Sequence, residues 1–111
     1  RNALAMSNLD NVEELDLAEL ESQTGFHEAA YVRAFELGPH MPVSPSGGPF
    51  AQNPLFCTGL IGMAEAVLQV AGQAGPVQVP GAVNAAGHSC HGAAQQGNIV
   101  AIFQTPEVSH A

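Results

Sequence analysis

Reactive side chains concentrate in Gly87-His88-Ser89-Cys90-His91-Gly92. A thiol flanked by imidazoles is set up to ionise in part near neutral pH, which suits it to nucleophilic or proton-transfer chemistry. His88, Cys90 and His91 are also zinc-ligand types, but no second Cys pair lies nearby to complete a four-ligand set, so no metal is expected. A second candidate is Asn53, followed by Pro54. Asn cannot act as a base; it either caps a helix that Pro54 begins, or donates a hydrogen bond to a substrate oxygen. A third is Gln23-Thr24-Gly25-Phe26. It reads either as a helix start capped by Thr24, or as a place where Gln23 and first-turn amides face an oxyanion. Between these lies Ser44-Pro45-Ser46-Gly47-Gly48, whose glycines can take positive φ and let a substrate approach the backbone closely.

The elements that must position these groups alternate along the chain. Ala3 to Asn8 reads as the close of a helix, Leu15 to Leu20 as a strand, and Phe26 to Leu37 as a helix with Glu28 in its first turn and Gly38-Pro39 as its stop. Met41 to Ser44 reads as a short strand leading through the glycine turn toward the Pro54 to Ala71 helix, which carries Glu65 as its only charge. A helix apolar nearly all round is buried on several sides, so its partly positive N-terminus points into the protein. Cys57, one turn inside, reads as a small buried hydrophobe. Gly72 to Pro80 is a loop, and Ala82 to His88 and Asn98 to Gln104 are strands, the last with an interior-type run at Ile99 to Phe103. This order predicts an α/β fold with a mixed sheet and a buried central helix, in one domain over residues 1–111.

Composition narrows the function classes. The 111 residues suffice for one modest core. Net charge is −8 with no lysine, which excludes a phosphate-neutralising nucleic-acid surface and disfavours an anionic membrane. Eight of the ten carboxylates lie between Asp10 and Glu36, where they read as a solvated face; residues 37–111 hold only Glu65 and Glu107 and no cation, so that half is expected to be largely enclosed. Two cysteines make no disulfide framework, and the polar, acidic start is no signal peptide, so free thiols in the cytoplasm are expected. The apolar run from Pro54 is interrupted by glycine, Glu65 and Gln69, which favours a buried helix over a membrane span. Beginning at Arg1, the sequence reads as processed, trimmed or incomplete.

The glycine corner and its flanks resemble the C-terminal half of the thiolase superfamily. Its lipid-transfer or sterol-carrier type branch reads Asn-Pro-Ser-Gly-Gly followed by Asn-Pro; here Ser44-Pro45-Ser46-Gly47-Gly48 and Asn53-Pro54 stand in those places. Upstream, Asp16 to Phe26 is similar to the strand and loop ending in Asn-Glu-Ala-Phe or His-Asp-x-Phe. Downstream, Gln78 to Ala82 and Gly92 to Phe103 are similar to the closing strands. The resemblance implies half of a layered α/β/α/β/α sandwich with the apolar helix in the middle. It implies a C-terminal portion of an acyltransferase or lyase that cleaves or forms carbon–carbon bonds in acyl-coenzyme-A thioesters of lipids or steroids. The thioester is the substrate and no further cofactor is implied.

Gln23 falls where thiolases place an Asn or His, and Asn53 falls on their His, a loss that leans toward the non-thiolytic variant. Cys90-His91-Gly92 fits the Cys-x-Gly that supplies their proton-shuttling cysteine, with His88 beside it; a second alignment puts a non-catalytic residue at Cys90. Ser46, Gly47, Gly48 and Phe56 would then line the substrate. The family's nucleophilic cysteine belongs to the N-terminal half, so an N-terminal half or second chain, an oligomer and a small partner with an oligonucleotide-binding-like fold are implied. Only Arg1 and Arg33 are on hand for coenzyme-A phosphates, so helix ends or another segment must hold the nucleotide. The alternative is a non-catalytic subunit or degenerate paralogue kept for assembly or ligand binding.

Overall fold

The computed structural model describes residues 2–52 and 56–106. Helix α1 (Asn2–Met6) and a 3₁₀ turn (Val12–Glu14) lead into strand β1 (Leu17–Glu19), followed by helix α2 (Gly25–Ala34), a short helix α3 (Gly48–Ala51), the long helix α4 (Thr58–Val70), and strands β2 (Asn84–His91) and β3 (Gly97–Gln104). The sheet runs β1-β2-β3. β1 is parallel to β2, with Leu17 opposite Ala85 and Glu19 opposite Gly87, and β2 is antiparallel to β3. The expected Met41 to Ser44 strand is reduced to one parallel bridge, Val43 to Ala18. β1 therefore has neighbours on both edges and helices on both faces, and every one of its residues is buried. The fold is the expected α/β architecture with a mixed sheet.

Strand alternation sorts the residues between two cores. Ala18, Leu20 and Ala86 meet Tyr31, Val32 and Phe35 of α2 on one face. Leu17 and Ala85 meet Ala66 and Val70 of α4 on the other. The small residues set the helix distance: a Cβ built on Gly87 would stand 3.2 Å from Cα of Met63. Each fully buried leucine, such as Leu17, contributes about 1.5–3 kcal/mol.

Helix ends follow local chemistry. Thr24 Oγ1 accepts from His27 N–H at 3.2 Å and starts α2 as expected. α2 stops earlier than Gly38-Pro39 would require. Glu36 takes φ 58°, and Leu37 N–H reaches Val32 O while Glu36 N–H reaches Arg33 O, a Schellman ending with a non-glycine residue in the left-handed position. α4 ends the same way on Gly72, with bonds from Gly72 N–H to Gln69 O and from Gln73 N–H to Leu68 O. α4 begins at Thr58 rather than Pro54, with Cys57 at the cap position; the expected cap, Asn53-Pro54, lies outside the described residues. Fully buried Gln69 then ties down the following loop, donating to Val77 O at 2.8 Å and accepting from Val79 N–H at 2.7 Å.

Two expectations from charge need correction. The acidic run is not wholly a solvated face, because Glu19 sits on a doubly covered strand and is 1% exposed. The charge-poor half is not enclosed within this chain either. α4 is more buried than α2, holding Gly59, Ala66 and Gln69 in the interior, yet Leu60 on its other side is 69% exposed, and Ile99 of β3 is 55% exposed.

Candidate functional site

Because β1 and β2 are parallel, their C-terminal ends share one edge of the sheet, and the N-terminal turn of α4 rests there. Crevices outside the carboxyl ends of parallel strands are where α/β folds place ligands. Two carboxylates from the end of β1 lie under this helix start. Glu19 Oε1 accepts from Ser46 N–H at 3.0 Å and Oε2 from Ser46 Oγ–H at 2.7 Å. Ser46 Oγ in turn accepts from Gly48 N–H at 3.1 Å, while Gly47 and Gly48 take φ 87° and 52°. Positive φ at both positions is the reason the turn needs glycine. Glu19, Ser46 and Gly48 line a small recess with Thr58 and Gly62 of α4, so the glycine turn and the helix start are neighbours.

Two residues on, Glu21 Oε2 accepts from Ser89 Oγ–H at 2.7 Å and from Cys90 N–H at 3.0 Å. A Cβ on Gly59 would collide with Ser89 Oγ and stand 2.5 Å from Glu21 Oε2, so only glycine lets the first turn of α4 close over this pair. The amides of a helix's first turn have no intrahelical partners and carry partial positive charge, which favours an anion beside them.

Cys90 and His88 point the other way, toward α2. The Cys90 thiol faces Glu21 O at 3.6 Å. Burial pushes the thiol pKa up; the Tyr31 hydroxyl opposes that rise and the nearby Glu21 charge adds to it. Tyr31 is itself pushed to about 12, by burial and then by Cys90 and Glu21. His88 is buried between the rings of Tyr31 (centroids 4.5 Å apart) and Phe35 (5.2 Å). Its Nε2 meets Asn98 Oδ1 at 2.8 Å, and Asn98 Nδ2 donates to Gln95 O at 3.1 Å, which orients the amide and assigns the His88 proton to Nε2. Burial pushes the His88 pKa down, so the ring is neutral at pH 7. Beyond it an open cleft of about 1250 Å³ runs between α1, the end of α2 and the sheet, walled by Leu4, Leu9, Phe35 and Ile102.

The structure thus brings the Ser46 to Gly48 turn, the start of α4, and the Ser89-Cys90 backbone to one sheet edge. Gln23 is exposed just past that edge, next to Ser22, whose buried Oγ has no partner. Phe56 stands fully exposed before α4. Asn53 lies outside the described residues. Glu19, Glu21, Ser89 and Tyr31 were not singled out from sequence. The usable signal for the carboxylates is strand alternation, which through Glu19 and Glu21 puts both on the α4 face; Ser89 lies past the expected strand end at His88 and had no such signal. Neither cysteine is in a disulfide, and among the described residues no group of three His, Cys, Asp or Glu side chains is placed to hold a metal ion.

Comparison with curated proteins and with solved structures finds no match. The family model described as thiolase C-terminal domain-like matches residues 2–105. That span covers α1 through β3 and includes both carboxylates, the glycine turn and the Cys90 strand, so the chain belongs to the thiolase C-terminal domain-like family.

Proposed function

We propose that this thiolase-like chain is the C-terminal part of an enzyme that makes or breaks a carbon–carbon bond in an acyl-coenzyme-A thioester of lipid or steroid type. The observation that carries the reading is the sheet edge where the glycine turn, the α4 N-terminus and the Cys90 strand meet. The thioester oxygen would sit at the glycine turn and the helix start, with Asn53 as a hydrogen-bond donor. Cys90, kept protonated by burial and the Glu21 charge, suits a proton donor better than a nucleophile. In retro-aldol cleavage the β-hydroxyl loses its proton to a base and the Cα–Cβ bond breaks. Its electron pair forms the thioester enolate, and Cα then takes the proton of the Cys90 thiol, which the hydroxyl proton replaces. Asn53, unable to accept a proton, favours this route over thiolysis.

The bare apolar side of α4, with Phe56, Leu60 and Val67, is where an N-terminal half or second chain would pack, bringing groups for the nucleotide phosphates that this chain lacks. A second reading, a subunit without catalysis, is favoured by one observation: the Cys90 thiol faces α2 and Glu21 O rather than the first turn of α4. Incubating the complete polypeptide with β-hydroxyacyl- and β-ketoacyl-coenzyme A, with and without free coenzyme A, separates the readings. Shortened thioester and aldehyde or ketone from the β-hydroxyacyl substrate without added coenzyme A is expected. Thioester binding with no turnover of either class would move the assignment to the subunit.

A further inference from the structure

The sheet face opposite α4 is only partly roofed. α2 packs over Ala18, Leu20 and Ala86 through Tyr31, Val32 and Phe35, but toward β3 the face opens into the cleft of about 1250 Å³, where Val100 is still 36% exposed. Ala86, Val100 and Ile102 form its floor; α1 and the 3₁₀ turn stand on one side and the end of α2 on the other. The volume is above the roughly 300–1,000 Å³ of ordinary small-molecule pockets.

Two features of the lining decide what fits there. The floor is a sheet face rather than a strand edge, with β2 lying between β1 and β3. An extended segment laid on it would find no ladder partners for its backbone, whereas a helix brings its own hydrogen bonds and needs only an apolar side to bury. Helices pack about 8–10 Å apart, so one placed beside α2 would continue the layer that α2 begins. The second feature is charge. Asp10 and Glu13 on one side and Glu36 on the other line the cleft, all three exposed, and no lysine or arginine is among the lining residues. An apolar trough between acidic rims matches an apolar stripe flanked by cations and repels an acidic helix or a fatty carboxylate.

We propose that this cleft is a docking groove for an amphipathic helix of another polypeptide, with the helix's apolar stripe on Val100 and Ile102 and its lysines or arginines beside Glu13 and Glu36. The groove lies across the sheet from α4, so it is separate from the bare side of that helix and from the chemistry proposed at the sheet edge. The probe is the fluorescein-labelled peptide Leu-Lys-Lys-Leu-Leu-Lys-Leu-Leu-Lys-Lys-Leu-Leu-Lys-Leu, which puts leucine along one side of a helix of about four turns. A peptide of strictly alternating leucine and lysine, which has strand periodicity, is its control. Fluorescence anisotropy with the intact polypeptide at about 0.15 M ionic strength, where the Debye length is about 8 Å, damps diffuse attraction to the chain's net negative charge.

The helical peptide should saturate at one per chain and bind more tightly than the alternating one. Val100→Glu sets a carboxylate on the floor, which adds negative charge while spoiling the apolar contact, and should weaken binding by about tenfold or more. Glu13→Gln together with Glu36→Gln removes two rim charges and should weaken it about two- to thirtyfold. Equal binding of the helical peptide by Val100→Glu, or of both peptides by the native chain, would show attraction by charge alone and overturn the proposal. Absence of saturable binding to the intact polypeptide would overturn it too, by showing that the cleft is filled from within. If Val100→Glu does not fold, unchanged affinity in the double variant overturns it alone.

Discussion

At the scale of single residues, the governing fact is a pair of carboxylates set under a helix start without an arginine or lysine contact among the described residues. Glu19 is held by Ser46, but burial outweighs those two hydrogen bonds and raises its pKa above the ordinary carboxylate value, with Glu65 adding to the rise. A raised pKa means that the folded protein binds this proton more tightly than the unfolded chain does. Its contribution is therefore greatest below the unfolded value and is lost as pH climbs through the folded one. Glu19→Gln keeps an oxygen for Ser46 N–H and removes the titration. Urea unfolding of both proteins from pH 4 to 8 should show the variant gaining on the native chain as pH rises. Parallel pH dependences would contradict the buried-charge account. His88, whose depressed pKa costs stability on acidification, cancels in the comparison because both proteins carry it.

At the scale of elements, α4 owes its seat to glycine. Gly59→Ala gains about 1 kcal/mol in helix propensity. The new methyl meets Ser89 and Glu21 at overlapping distances, and overpacking of this kind costs about 1–3 kcal/mol. Net destabilisation of up to about 2 kcal/mol is expected from denaturant unfolding. Gly62→Ala, whose methyl would meet only Glu19 Cβ at 3.8 Å, should be neutral or stabilising. Equal effects at the two positions would show that the close approach at Gly59 is not what holds the helix.

This level also separates what could be read in advance from what could not. The order of strands and helices, the Thr24 cap and the positive φ of Gly47 and Gly48 follow from local chemistry and were legible. The end of α2 was not, because Glu36 occupies a left-handed position that nothing in its side chain announces. β2 runs on to His91, three residues past its expected end, and that extension puts Ser89 on the α4 face and Cys90 on the α2 face with His88. The cluster at Gly87 to Gly92 was visible as a set of residue types. Which of them face which helix depended on a strand boundary, and boundaries are set by pairing with β3 rather than by local preference.

At the scale of the whole molecule, the charge-poor half of the sequence leaves apolar surface uncovered. Leu60 and Val67 of α4 and Ile99 of β3 remain exposed, and in a thiolase-like assembly the bare side of α4 would be covered by the other half. No helix among the described residues is long and apolar enough to cross a membrane. In the proposed function a substrate would be enclosed between the halves at the sheet edge, and Cys90 would exchange a proton with its acyl-coenzyme-A thioester. The most direct measurement is steady-state turnover of a β-hydroxyacyl-coenzyme A by the complete protein carrying Cys90→Ser. Retained fold with turnover lower by about two to four orders of magnitude, the usual worth of a positioned proton-transfer group, is the predicted result. Turnover equal to that of the native protein would contradict it and assign Cys90 to packing against α2.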